Sequence, residues 1–146
     1  MRIEELYTPE ILALATAIPH IGRLPRADGA ARLRSRTCGS RIGVELRLDA
    51  TGRIAEFAQQ VEACALAQAS ACLLGRHIVG ALPAEVFAAR DRLRRMLREG
   101  AAPPRGRWAD LALLAPVREV PARHESVLLP FEAACRALAE AGHDGE

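Results

Sequence analysis

Four cysteines, at positions 38, 64, 72 and 135, are the residues of this 146-residue chain best suited to chemistry. A thiolate attacks sulfur or binds a soft metal, whereas a buried thiol packs as a small hydrophobe. The cysteines form no CxxC pair, and in a cytosolic chain they are expected to be reduced. Cys64 stands between a predicted strand and a predicted helix. Unpaired backbone N–H groups and the helix dipole favour anions at such a place. Cys38 precedes a tight turn at Gly39 and Ser40, just ahead of the next strand. In an antiparallel meander the start of one strand lies beside the end of the next. Cys38 and Cys64 are therefore expected to meet at one sheet edge, as reactive sulfurs, as metal ligands or as packed side chains.

The remaining candidates divide by position. Cys72 lies about 12 Å along the helix from Cys64, too far to share a tetrahedral site with metal–sulfur distances of about 2.3 Å. It shares a face with Ala65, Ala69 and Arg76 and is read as packing. Cys135, in line with Phe131 and Leu138, is read the same way. His124, just before the last predicted helix, offers a ring nitrogen. His20 and His77 have no evident partner, and His143 lies near the end of the sequence. Ser126 reads as a helix N-cap.

Periodicity supplies the elements that would position these groups. Residues 8–17 read as a helix with Thr8 as N-cap and Pro9 at its first position. The stretch 18–29 is broken by Pro19, Gly22, Pro25 and Gly29. Residues 31–37 read as a short exposed strand. Ile42, Val44, Leu46 and Leu48 alternate with Glu45 and Arg47, a half-buried strand. A turn at 49–52 leads into a third strand over 53–62. Helices are expected over 64–80, 83–99, about 107–117 and 126–141, punctuated by Gly80, Pro83, Gly100 and Pro116. Strands first and helices after predict an α+β fold: a three-stranded antiparallel meander covered on one face by helices. The length suits one domain spanning 1–146.

Composition closes several routes. Half of the residues are hydrophobic, 26% are charged and the net charge is +2, an ordinary soluble balance. No apolar run approaches the roughly 20 residues needed to cross a bilayer. The opening "MRIEELYTPE" lacks the order of a signal peptide, so a cytoplasmic protein with no membrane partner is expected. Every basic side chain except histidine is arginine. That excludes a P-loop lysine, a Schiff-base lysine and a kinase-type lysine. No GxGxxG supports a dinucleotide fold. Arginines cluster in "ARLRSRTCGSR" and "RDRLRRMLRE", but aromatic residues for base stacking are scarce, so no nucleic-acid partner is expected.

The run "TCGSRIGVELRLDATGRIAEFAQQVEACALAQASACLL" resembles the core of the IscU/NifU N-terminal family of iron–sulfur cluster scaffolds. That family shows a Cys-Gly-Asp turn, a β-hairpin, then Gly-Cys-Ala and a small-residue helix. "PHIGRLPRADGAARLRS" is similar to the family's Pro-Arg-Asn-x-Gly lead-in, and "VPARHESVLLPFEAACRAL" to the segment where its third cysteine precedes a C-terminal helix. The resemblance covers roughly residues 6–141. The long stretch between Cys64 and Ser126 is like that of the SufU branch, associated with zinc and sulfur transfer, and Arg123 matches an arginine of that pattern.

The resemblance implies work alongside a cysteine desulfurase and recipient apo-proteins, as a monomer or weak homodimer. It implies ligands at Cys38 and Cys64. The family's aspartate is replaced by Ser40 and its third cysteine by Ser126, poor ligands for soft metals. Three readings follow. In the first, the protein is an assembly factor that accepts sulfur, or holds a transient iron–sulfur cluster or zinc, through Cys38 and Cys64, with His124 as a third ligand. In the second it binds no cofactor and is an interaction or regulatory module for the desulfurase. In the third, Cys64 or Cys38 is the nucleophile of an unrelated hydrolase with His124 as base, although no nucleophile elbow is recognisable.

Overall fold

Alternating apolar residues on the second strand give the sheet its buried face, and the helices assemble on that face. The computed structural model of the chain describes residues 2–36 and 39–143. Three antiparallel strands, β1 (Gly29–Arg34), β2 (Arg41–Leu48) and β3 (Ile54–Glu62), lie in the order β1-β2-β3. Ile42, Val44 and Leu46 of β2 point inward at 1% exposure or less. Arg41 of β2 pairs with Arg34 on one side and Glu62 on the other. The expected meander is therefore present, with β1 two residues earlier than the 31–37 reading. Thr37 and Cys38 lie outside the described residues.

Four α-helices follow their sequence signals to different degrees. In α1 (Pro9–Ala15), Thr8 Oγ1 accepts the amide of Ile11 at 3.2 Å, the predicted cap. Helix α2 (Ala65–His77) ends three residues before Gly80. Helix α3 (Pro83–Glu99) keeps both predicted bounds and stops where Gly100 turns left-handed at φ +71°. Helix α4 (His124–Glu140) starts two residues earlier than expected. Ser126 is therefore not the N-cap. It lies inside the first turn with no exposed surface, and Arg123 holds the cap position.

Residues Gly106–Glu119, where a short helix was expected over about 107–117, form 3-10 helix with a kink at Trp108. Trp108, Leu111, Leu114 and Val117 recur every third residue and are all buried. A helix of three residues per turn puts them on one face, and Pro116 cannot donate to an α-type ladder.

Helix α4 lies across β1 and β2, α2 packs between α1 and α4, and α3 also packs on α4. Gly29 permits the first of these contacts, because a side chain there would collide with the Ala137 carbonyl of α4. The outer edge of β3 is blunted by the chain at 20–22: the Gln59 amide donates to the His20 carbonyl and Gly22 donates to the Gln59 carbonyl. None of the helices in the described residues is long and apolar enough to cross a membrane.

Candidate functional site

Three chain segments that are remote in sequence are tied together at the end of the sheet where α2 and α4 both begin. The antiparallel register sets the start of β2 beside the end of β3, and the backbone amide of Cys64 donates to Ser40 Oγ at 3.3 Å. Cys64 holds the N-cap position of α2 in an extended conformation, and its carbonyl accepts the Gln68 amide at 2.9 Å. Its thiol is free and half-buried. It is placed as the sequence predicted, at the junction of strand and helix.

The second tie comes from α4. Glu125 Oε1 accepts the Ser35 hydroxyl at 2.8 Å and the Arg36 amide at 2.6 Å. The third joins the helices themselves, because the Ser70 hydroxyl of α2 donates to the Val127 carbonyl at 2.6 Å in a fully buried position. The residues on both sides of Cys38, Arg36 and Ser40, are thus bonded to this corner, and Ser126 sits between Glu125 and Val127 within it. Cys38 itself lies outside the described residues, so the predicted Cys38–Cys64 pairing is not observed directly.

Of the other sequence candidates, His124 and Ser40 belong to this corner, whereas His77 ends α2 and Cys72 and Cys135 lie within α2 and α4. His124 is 8% exposed, and its Nε2 faces the carbonyl oxygens of Val117 and Arg118 at 3.0 and 3.2 Å. Carbonyls only accept, so Nε2 carries a proton and donates to them. His77 is not partnerless: its Nε2 is 3.0 Å from Asp110 Oδ2, and its ring packs edge-on to Trp108. Cys72 and Cys135 are core residues, 0% and 2% exposed. Burial pushes the Cys72 thiol up, and pushes that of Cys135 up to about 12 against the pull of Arg90. Ser40 is 2% exposed. Among the described residues no three His, Cys, Asp or Glu side chains cluster closely enough to hold a metal ion.

Sequence reasoning missed Glu125 and Ser70, the side chains that fasten α4 to the loop and to α2. It also missed Gln59, fully buried on β3, whose amide nitrogen donates to the carbonyls of Pro19 and Ala71. Glu125 stands one residue ahead of the helix expected over 126–141, so its place in the first turn of α4 was not legible.

Comparison with known proteins agrees with this architecture. The family model for the NifU-like N-terminal domain matches residues 6–101. A solved NifU-like protein (N-terminal) from Brucella abortus is 40% identical, with a TM-score of 0.91 over 95% of this chain and 96% of that one. A protein from the thermophile Fervidobacterium islandicum AW-1, described as an iron–sulfur cluster assembly scaffold for the SUF system, shares the fold. It is 19% identical, with a TM-score of 0.85 over 94% of this chain and 99% of that one. A search of curated proteins found no match. With a family match over most of its length and a 40% identical structural relative, the chain belongs to the NifU-like N-terminal domain family.

Proposed function

We propose that this protein is an iron–sulfur cluster assembly scaffold that accepts sulfur, or carries a labile cluster or metal ion as cargo, through Cys64 and Cys38. One observation carries the reading. Cys64 opens α2 with a free, half-buried thiol, in a corner where the flanks of Cys38 and the first turn of α4 are tied by hydrogen bonds. The chemistry is exchange without net redox. The Cys64 thiolate attacks the outer sulfur of a persulfide on a cysteine desulfurase, a new S–S bond forms on Cys64, and the desulfurase thiolate leaves. Cargo metal would be gripped by the two thiols, with a partner or water completing its shell. Zinc suits such a donor set as well as iron does.

A second reading has its own support. The Ser40 hydroxyl, where the family carries an aspartate, accepts the Cys64 amide and is almost fully buried. That is a structural use of a ligand position, as expected of an interaction module for the desulfurase. Anaerobic protein incubated with a cysteine desulfurase and cysteine separates the two. The scaffold reading expects persulfide on the wild type, or iron or zinc retained on it, and loss of both in Cys64→Ala and Cys38→Ala. Desulfurase binding with no sulfur or metal acquired would establish the module instead.

A further inference from the structure

The solvent face of the sheet carries an arrangement that neither the core nor the Cys64 corner explains. On that face Arg34 of β1 stands directly opposite Arg41 of β2, and Arg32 lies two residues along β1 opposite Gly43. Like charges facing each other across strands are destabilising. Elsewhere on the same face the sheet pairs opposite charges: Arg47 Nε is 2.8 Å from Glu56, and Arg23 is 3.3 Å from Glu45. Among the described residues, Arg32, Arg34 and Arg41 have no carboxylate within ion-pair distance. Opposite Arg32 the chain puts Gly43, where a side chain would meet the Gln60 side-chain oxygen. The result is an open groove of about 430 Å³, rimmed by guanidinium groups and crossed by one acid, Glu62.

We propose that this groove docks an acidic, carboxylate-bearing segment of a protein partner. Guanidinium groups clamp carboxylates through paired N–H donors, and an anion between Arg34 and Arg41 relieves their mutual repulsion. Among the described residues no aromatic ring lines the groove, so they offer no stacking platform to a nucleotide base. Position favours a partner that acts at the Cys64 corner. Arg34 and Arg41 bound the segment 35–40, whose ends are bonded to Glu125 and Cys64. The proposal rests on the preceding reading in one respect, that a protein docked here brings sulfur or receives cargo at the adjoining loop.

The test uses a fluorescent oligoglutamate peptide, which reports on neither sulfur nor metal, and reads anisotropy at low ionic strength. Arg34→Glu/Arg41→Glu is expected to weaken binding at least about tenfold. Arg95→Glu/Arg98→Glu, the same charge change on α3, is expected to leave it within about twofold if attraction is local. Arg34→Gln/Arg41→Gln, which adds no acid to the sheet, keeps the test decisive should the reversal fail to fold. No binding by the wild type, equal loss in both reversals, or displacement of the peptide by equimolar inorganic phosphate or a nucleoside triphosphate would overturn the proposal. Failure of Cys64 to take up sulfur or metal, with peptide binding intact, would count against the function alone.

Discussion

Cys64 and Cys135 share a side chain and differ in what surrounds it. Cys64 is reachable from solvent at a helix start, whereas Cys135 is sealed among Val86, α3 and the α4 core, its thiol held up to about 12 by loss of water. The consequence is a signed dependence of stability on pH. Below about pH 9 the thiol is protonated in both the folded and unfolded chain, and the contribution is fully present. Above it the unfolded thiol ionises while the folded one cannot, so unfolding releases a proton and stability falls. The slope is about 1.4 kcal/mol per pH unit between roughly 9 and 12. Urea unfolding across this window should give a shallower decline for Cys135→Ala, with the part due to Cys72 remaining. An unchanged slope would mean that Cys135 meets water in the folded state. In a Cys38→Ala background at mildly alkaline pH, a thiol reagent should label Cys64 quickly and Cys72 and Cys135 only on unfolding.

Elements were legible wherever their signals are local. Pro83 and Gly100 delimit α3, Thr8 caps α1, and the alternation of β2 fixes which face is buried, all within a few residues of sequence. The short helix expected over about 107–117 is present at 106–119; which helical form it takes was not read, because the apolar recurrence every third position that marks the 3-10 form went unused. The ties that assemble the site were illegible for a different reason. Ser70 to Val127 spans 57 positions and Ser35 to Glu125 spans 90, and periodicity has no access to such pairs. The first of these makes a prediction about how α2 and α4 are held. Ser70→Ala leaves α2 helical, since alanine favours helix, but removes a buried donor and should cost about 1–2 kcal/mol in urea unfolding. It should also speed thiol labelling of Cys64, because the starts of the two helices lose their direct tie. Lost stability with unchanged labelling would place the Ser70 bond outside the determinants of the site.

At the scale of the whole chain, the first strand and the last helix depend on each other. The family match ends at residue 101, yet α4 beyond it supplies Val127, Phe131, Ala134 and Leu138, all without exposed surface, and covers β1 and β2. The Ala30 amide even donates to Glu140 at the far end of α4. Burying a large apolar side chain contributes about 1.5–3 kcal/mol, so Val127, Phe131 and Leu138 alone contribute about 4.5–9 kcal/mol. That rivals the 5–15 kcal/mol by which a typical domain is stable. Removing them would also strip the sheet of the helix that covers Ile42, Val44 and Leu46. A chain cut after residue 101 is therefore expected to lose its cooperative thermal transition and to bind a hydrophobic dye such as ANS, as partly collapsed chains do. The full chain should melt in one step. A sharp, reversible melt in the fragment would mean that the sheet and α1–α3 fold without α4. In that case the corner at Cys64 would be assembled by docking α4 onto a finished domain, and Glu125 and Ser70 would be the latches of that docking rather than parts of one core.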